Sequence, residues 1–322
     1  MNIVVTGAAG FIGSHVSEQL IKLNHHIIGI DNFDNFYPIK FKTLNISGLR
    51  QNKNFQFHEI DVRDKKAIDK IFSEVKVDVV IHLAAKAGVR PSIDSIEEYY
   101  DVNINGTIII LESMKKYQVK KMLFASSSSV YGNNSKVPFS ENDSVDNPIS
   151  PYASTKKSGE LLCHVYSHLY QFDINCLRFF TVFGPRQRPD LAIHKFTRLI
   201  DEGKPIPFYG DGTTSRDYTF IDDIVSGIMG ALNNLNGYQI YNLGESNVIN
   251  LKDLVVTIEN ILERKAQLQQ LPLQQGDVKT TYADISKAKR EINYAPLYNV
   301  EAGIKLFIEW YNENKAFLYA NS

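Results

Sequence analysis

Three residues have the types and spacing for acid–base chemistry beside a hydride transfer: Ser127, Tyr152 and Lys156. Ser127 lies in FASSSSVYG, where an apolar segment leads into four serines. Tyr152 and Lys156 lie in SPYASTKKSGE, which opens with a good N-cap serine and a proline suited to the first helical position. Residues four apart share a helix face, so we expect the lysine ammonium to lower the pKa of the tyrosine and make it a general base. A surface tyrosine beside a solvated lysine would show the same spacing.

A glycine-rich turn near the N-terminus is typical of a dinucleotide site. In TGAAGFIG, Gly7, Gly10 and Gly13 follow an apolar segment and precede a helical pattern. Such glycines permit a tight turn, backbone approach to a pyrophosphate and close helix–strand packing. Asp31 is placed to bind the adenosine ribose, where its charge favours NAD over NADP, although it could also cap a turn. The other residues predicted here to contact NAD are Phe11, Ile12, Asn32, Asp61, Val62, Leu83, Ala84 and Ala85.

Alternating strand and helix patterns place these residues at one edge of a sheet. Strands are predicted over 2–6, 26–31, 55–61, 77–83, 121–126 and 174–179, with helices near 11–24, 65–75, 95–117 and 151–171. This rhythm predicts a doubly wound parallel, Rossmann-like α/β sheet that binds ligands at the carboxyl ends of its strands. After residue 179 the rhythm loosens. We predict a Rossmann domain over 1–178 and about 222–250, and a smaller C-terminal α/β substrate lobe over 179–221 and 251–322.

The composition narrows the class of protein. Hydrophobic residues make up 43% of the 322 residues and charged residues 22%, as in ordinary globular proteins. The formal net charge of -1 favours neither nucleic acid nor an anionic membrane as a partner. We find no apolar run that would span a bilayer, no signal-peptide pattern and no metal-ligand spacing. Two cysteines are too few for a disulfide framework, so we expect buried thiols in a cytoplasmic protein.

Seven motifs together resemble the extended short-chain dehydrogenase/reductase superfamily. They are TGAAGFIGSH, HLAAKAGVRPS, YYDVNINGT, SSSSVYG, SPYASTKKSGE, RFFTVFGPRQRPD and RDYTFIDD, and they cover essentially the whole chain. Within that superfamily the chain is similar to the NAD-dependent nucleotide-sugar 4-epimerases, and most of all to those that act on UDP-glucuronate.

The resemblance implies a role for each catalytic candidate. Tyr152 would take the proton of the sugar 4-hydroxyl with the help of Lys156, which also binds the nicotinamide ribose. Ser127 matches the catalytic Ser/Thr of the family. Asn103, in YYDVNINGT, matches an asparagine near the nicotinamide, although a hydrogen bond inside a helix is an alternative role.

The resemblance also predicts a substrate site for an anionic sugar. Sugar 4,6-dehydratases carry Asp-Glu before the Val-Tyr-Gly, and UDP-glucuronate decarboxylases carry Glu at the last position. Here Ser128 and Ser129 stand there instead, so dehydration lacks its acid and base. We expect these serines and Thr181 to hold a C6 carboxylate. Arginine side chains suit anions, and the other predicted substrate contacts are Arg90, Arg188, Arg216 and Asp277, with Arg186 undecided.

The predicted function is the reversible 4-epimerisation of a UDP-sugar, with UDP-glucuronate and UDP-galacturonate as the preferred pair. Thr281 matches a size gate of related epimerases, and a small residue there keeps UDP-N-acetylglucosamine, or its uronic acid, as an alternative. A non-catalytic NAD-binding protein and a net oxidoreductase are further alternatives. The predicted helices over 95–117 and 151–171 resemble those of the family's dimer interface, so a homodimer is also predicted.

Overall fold

The computed structural model describes residues 1–272 and 278–320. Its largest sheet consists of parallel strands in the order β10-β6-β5-β4-β1-β2-β3. Their bounds are β1 Asn2–Thr6, β2 His26–Asp31, β3 Phe55–Glu59, β4 Val79–His82, β5 Lys121–Ser127, β6 Asp173–Phe179 and β10 Tyr238–Leu243. The predicted doubly wound parallel sheet is therefore confirmed.

Apolar side chains on both faces of each strand explain why helices cover both sides of the sheet. In β1, Ile3 and Val5 pack into one core cluster and Val4 into another, and all three are fully buried. The first cluster includes Val16 of the helix that follows β1, and the second includes Ile68 of the helix that follows β3. A parallel sheet buried on both faces leaves its carboxyl edge as the place for polar ligands.

The helices begin and end close to the predicted positions. Their bounds are α1 Phe11–Lys22, α2 Ile39–Ile46, α3 Lys65–Glu74, α4 Val89–Asp94, α5 Ile96–Tyr100, α6 Gly106–Lys116, α7 Pro151–Tyr170, α8 Ala192–Asp201, α9 Ile221–Asn233, α10 Leu251–Leu262, α11 Ser286–Ile292 and α12 Val300–Leu318. No helix in the described part of the chain combines the length and apolar character needed to cross a bilayer.

The predicted helix over 95–117 is found over 96–116, but it is not α-helical throughout. It consists of α5, a π-helical turn over Asp101–Asn105 and α6, and the residues at both junctions have helical backbone angles. A Cβ on Gly106 would lie 2.8 Å from Val62, so α6 starts in close contact with the segment that follows β3. π-turns accommodate an extra residue in a helix and are frequent at functional sites. This one carries Asn103.

Two strands are shorter than predicted, and side-chain hydrogen bonds mark their carboxyl ends. After β3, the Asp61 carboxylate accepts the Arg63 N–H at 2.9 Å, which turns the chain. After β4, the N–H groups of Leu83 and Ala84 donate to the Thr6 hydroxyl at 3.2 and 3.1 Å. Both segments therefore leave the sheet at its carboxyl edge.

Smaller sheets follow the sixth strand. Strands β7 Thr181–Phe183, β9 Ser215–Phe220 and β11 Val248–Asn250 form one, while β8 Ile206–Tyr209 pairs with β12 Leu268–Leu271. Strands β7 and β9 run parallel, and β11 runs antiparallel to β9. The division of the chain into two domains stays a prediction.

Candidate active site

The turn after β1 brings its backbone into a position that only glycine allows. Gly7 has a φ of +72°, and a Cβ there would lie 2.9 Å from the Ala84 nitrogen. A Cβ on Gly13 would lie 2.1 Å from the Gly7 carbonyl oxygen. Such distances exclude any larger residue at either position. The backbone at the start of α1 is therefore open to a ligand, as a dinucleotide pyrophosphate requires.

Asp31 ends β2 and is fixed by several contacts. Its carboxylate accepts the Phe33 N–H at 2.9 Å and the Ala9 N–H at 3.2 Å. The ammonium of Lys42, on α2, lies 3.5 Å away, and both side chains are buried. The carboxylate thus faces the glycine turn in a set orientation.

A cavity of about 370 Å³ runs along the carboxyl edge of the sheet. Of the residues predicted to contact NAD, those that line it are Gly7, Gly10, Phe11, Ile12, Gly13, Asp31, Asn32, Asp61, Val62, Leu83, Ala84, Ala85, Tyr152 and Lys156. Of the catalytic and substrate candidates, the lining residues are Ser127, Tyr152, Lys156, Thr181 and Arg188. The structure therefore brings the glycine turn to the same cavity as Ser127, Tyr152 and Lys156, which lie more than 100 residues further along the chain.

The Ser127, Tyr152 and Lys156 side chains meet where α7 starts beside the end of β5. Ser150 caps α7, because its hydroxyl accepts the Ala153 N–H at 3.1 Å. One turn further on, the Lys156 ammonium donates to the Ala125 carbonyl of β5 at 2.7 Å. This bond holds the helix against the strand that carries Ser127.

The predicted lowering of the Tyr152 pKa by Lys156 is wrong, because the net shift is upward and the groups that oppose it do not include Lys156. Burial raises the pKa of Tyr152, and the opposing contributions are its hydrogen bond to Ser127 and the charge of Arg188. The Lys156 ammonium lies 6.0 Å from the centre of the tyrosine ring, and burial lowers the pKa of Lys156 to about 8. Tyr152 and Lys156 do lie on one helix as their four-residue spacing predicts, but desolvation decides the direction of the tyrosine pKa shift.

The serine run divides into an inner and an outer part. Ser126 points inward and donates to Glu160 at 2.6 Å, and Arg178 pairs with both oxygens of that carboxylate at 2.8 and 2.9 Å. Ser127 points to the cavity, where its hydroxyl lies 2.9 Å from that of Ser129 and accepts the Ser129 N–H. Ser128 and Ser129 are not among the described residues that line the cavity, so their predicted contact with the sugar stays a prediction.

Asn103 acts on a neighbouring loop rather than lining the cavity. Its amide donates to the Lys86 carbonyl at 3.0 Å and to the Thr155 hydroxyl at 2.9 Å, and accepts the Lys86 N–H at 2.8 Å. It thereby ties the loop after β4 to α7. Its predicted contact with NAD stays a prediction.

Arg188 reaches the cavity from a loop that α1 anchors. His15 on α1 bonds the Pro185 carbonyl at 3.0 Å, and Arg186 pairs with Glu18 at 2.7 Å. Arg186, left undecided from the sequence, therefore faces α1. Arg188 pairs with Asp190 at 2.6 Å, and its guanidinium lies 5.0 Å from the centre of the Phe36 ring.

The other substrate candidates lie outside the described cavity wall. Arg90 is exposed, with its guanidinium 5.2 Å from the centre of the Tyr209 ring. Arg216 donates to the Ser215 carbonyl at 2.9 Å. Thr281 is buried, and its hydroxyl accepts the Asp217 N–H at 3.2 Å. Asp277 lies outside the described residues.

Sequence reasoning missed many residues of the cavity wall. Five of them are Asp34, Phe36, Tyr37, Lys42 and Lys86. Four of them follow Asp31 in the segment DNFDNFYPIKFK. This segment is rich in aromatic and charged residues, and such a composition directly after the aspartate predicted to bind the cofactor indicates further contacts. Lys86 had no such signal, because its partners are distant in sequence.

A doubly wound parallel sheet with a glycine turn at its first strand, and a Ser/Tyr/Lys set at its carboxyl edge, defines an extended short-chain dehydrogenase/reductase. A family model described as GDP-mannose 4,6 dehydratase matches residues 4–307, and the chain belongs to this family.

Individual relatives match over almost the whole chain. A UDP-glucuronate 4-epimerase of Thermodesulfobacterium geofontis is 45% identical over 312 residues, which are 97% of this chain and 96% of the relative. The crystal structure of a Bacillus cereus UDP-glucuronic acid 4-epimerase, in complex with UDP-glucuronic acid and NAD, is similar with a TM-score of 0.92 and 40% identity, covering 97% and 99% of the two chains. A Thermotoga maritima UDP-glucose 4-epimerase solved with UDP-glucose has a TM-score of 0.91 and 32% identity, covering 98% and 100%.

Proposed function

We propose that this chain is an NAD-dependent UDP-sugar 4-epimerase that interconverts UDP-glucuronate and UDP-galacturonate. The observation that carries the proposal is the distribution of charge in the cavity. Among the described lining residues, the carboxylates belong to Asp31 at the end of β2, Asp34 shortly after it, and Asp61 after β3. The wall near Tyr152 instead offers hydroxyl groups and the guanidinium of Arg188. An anionic sugar fits that end better than a neutral one.

The residues present fit NAD. A Cβ on Gly7 or Gly13 would collide with the backbone of Ala84 or Gly7, so only glycine allows the tight turn that a pyrophosphate site needs. Asp31 would hold the adenosine ribose, and a 2′-phosphate would meet its negative charge. The small side chains of Ala84 and Ala85 leave room beside the nicotinamide half. When bound, NAD would accept the hydride of the sugar C4 and return it to either face.

Tyr152 would move the proton in this reaction. Its phenolic oxygen would take the proton of the 4-hydroxyl as the hydride leaves, and return it afterwards. The hydrogen bond from Ser127 and the charge of Arg188 both favour the phenolate that this step needs. Lys156 would hold α7 in place through Ala125 and face the nicotinamide ribose.

Dehydration, the reaction in the name of the family model, is a poor fit to this site. Water elimination needs an acid and a base near the sugar C5 and C6. Ser128 and Ser129 occupy the positions where the resemblance would place a dehydratase's acids. Hydroxyl groups cannot replace a carboxylate as a base near neutral pH. The serines therefore support epimerisation without loss of water.

The experiment is to incubate the purified protein with UDP-glucuronate, without added NAD, and to follow UDP-galacturonate by chromatography. We expect interconversion from either sugar with no net NADH. Conversion of UDP-N-acetylglucosamine or its uronic acid, but not of UDP-glucuronate, would overturn the assignment of UDP-glucuronate as the substrate. The buried position of Thr281, bonded to the Asp217 backbone, gives that alternative no support. Stoichiometric NADH would indicate an oxidoreductase, and no reaction with any UDP-sugar would indicate a non-catalytic protein.

A homodimer is also proposed, with its interface on α5 and α7. Leu161, Val165 and Leu169 are exposed and four residues apart, so they form an apolar stripe on one face of α7. Ile96 and Tyr100 are exposed on α5, and the Tyr100 hydroxyl bonds Ser154 of α7 at 2.8 Å. Light scattering should give twice the chain mass, and Val165→Glu should reduce it. A monomer at micromolar concentration would contradict this proposal.

A cytoplasmic location is proposed on the state of the cysteines. Cys163 and Cys176 are buried free thiols, as expected in a reducing compartment. Cell fractionation of the tagged protein tests this, and recovery in the membrane or the medium would contradict it.

A further inference from the structure

Lys86 joins two walls of the cavity by ion pairs. Its ammonium lies 3.1 Å from Asp34, in the segment after β2, and 2.8 Å from Glu98, on α5. The Lys86 side chain is only 13% exposed, whereas those of Asp34 and Glu98 are 27% and 46% exposed. Burial lowers the pKa of Lys86. The two carboxylates together raise it by a larger amount, so the pKa lies above its ordinary value. We call these three residues the clasp.

The backbone of Lys86 is fixed independently of its side chain. The Asn103 amide binds both the N–H and the C=O of Lys86, at 2.8 and 3.0 Å. The same amide bonds Thr155 on α7, three residues after Tyr152. The ammonium of Lys86 therefore projects from a rigid base that is part of the catalytic wall.

Asp34 belongs to the segment after β2, residues 32–37, which we call the strap. The strap is anchored at one end by Asn32, whose amide donates to Asp61 at 2.8 Å. At the other end Tyr37 is buried against Phe41 of α2. Between these anchors, Lys86 binds Asp34, and Phe36 lies under the guanidinium of Arg188. Asn32, Asp34, Phe36 and Tyr37 of the strap line the cavity.

We propose that the clasp holds the strap closed over the bound dinucleotide and so sets how slowly the cofactor leaves. This inference rests on the proposed function. An epimerase holds its cofactor in the reduced form midway through each turnover, so loss of the cofactor at that point would leave a ketosugar and an inactive protein. The Lys86 ammonium is shielded from water, so its ion pairs should resist opening more than pairs that are exposed at both ends. Lys86, Asp34 and Glu98 are thus positioning residues for cofactor retention.

The test measures the rate at which the holoprotein exchanges its NAD for an excess of labelled NAD. Lys86→Gln should raise this rate about fivefold, and Asp34→Asn and Glu98→Gln about two- to fivefold. Because Lys86 and Asp34 act through one bond, the double variant should be no faster than the faster single variant. Salt should speed exchange in the wild type and have little effect in Lys86→Gln.

Lys116→Gln is the matched control, because Lys116 pairs with Asp69 at 2.8 Å on the α3–α6 surface, away from the cavity. It should exchange NAD at the wild-type rate. The melting temperature of each variant separates a general loss of stability from a faster exit. An exchange rate within twofold of the wild type in Lys86→Gln would overturn the clasp, and so would additive effects in the double variant. An effect of Lys86→Gln without any effect of either acid variant would also overturn it, because Lys86 would then bind the phosphates directly.

Failure of the proposed function would be recognised separately. In that case the wild-type protein would neither retain NAD through purification nor interconvert UDP-sugars. If the wild type does both and the variants exchange NAD at its rate, only the clasp is wrong.

Discussion

The two sides of the cavity are built differently: backbone turns shape much of the proposed cofactor side, whereas hydroxyl groups and the guanidinium of Arg188 face the proposed substrate side. On the proposed cofactor side, the contacts come from short turns after β1 and β4, and glycine and alanine supply their shape. On the proposed substrate side, Arg188 comes from a loop that His15 and Glu18 of α1 hold through Pro185 and Arg186. The substrate side therefore depends for its geometry on α1, the helix that follows the glycine turn. Changes on the two sides should consequently affect different measurements.

The largest effect should come from Tyr152→Phe, which removes the proton acceptor and leaves the shape of both sides intact. We expect kcat to fall roughly 10²- to 10⁴-fold, while the amount of NAD in the purified protein stays unchanged. Turnover of UDP-glucuronate and the NAD content after denaturation measure the two effects. Tyr170→Phe, at the far end of α7, is the control and should be fully active. An active Tyr152→Phe variant would refute the assignment of the base.

Gly13→Ala should damage the cofactor side selectively. The new Cβ would lie 2.1 Å from the Gly7 carbonyl oxygen, so the turn or the start of α1 must move. We expect a loss of roughly 1–3 kcal/mol in unfolding free energy and poor retention of NAD. Thermal melting and cofactor content measure this. Gly48→Ala is the matched control, because nothing lies within 4 Å of its Cβ position, and it should behave as the wild type. A Gly13→Ala protein with full NAD content would contradict the predicted turn.

Arg188→Met should damage the substrate side selectively. Loss of the cation should raise the KM for UDP-glucuronate roughly 10- to 100-fold, with NAD retention unchanged. Because the charge of Arg188 lowers the pKa of Tyr152, the variant should also need a higher pH for the same kcat. A pH–rate profile checks this, with the exposed Arg290→Met as the control. An unchanged KM and an unchanged profile would remove Arg188 from the site.

The same contrast explains what the sequence could and could not predict. The glycine turn, Asp31 and the Tyr152/Lys156 pair are local patterns, and the structure places all of them on the cavity wall. The ion pairs of Lys86 and Lys42 join residues 52 and 11 positions apart, from the numbering, and no local period marks them. The pKa of Tyr152 was misjudged because burial is a property of the whole fold. Side-chain contacts between distant segments were therefore the part that sequence reasoning lacked.

The smallest effect concerns stability away from the cavity. Burial raises the pKa of Glu245 from 4.5 to about 7, and the charges of Asp217 and Asp223 add to this. One of its carboxylate oxygens is buried without a hydrogen-bond partner among the described residues. Because the folded pKa lies above the unfolded one, the stability that protonated Glu245 contributes is complete below pH 4.5 and lost as the pH rises through 7.

Glu245→Gln, which has no charge to bury, should therefore unfold at higher urea concentration than the wild type at pH 8, and the difference should shrink at pH 5.5. The exposed Glu313→Gln should show no such pH dependence, and an equal gain for Glu245→Gln at both pH values would show that its charge is not the cause.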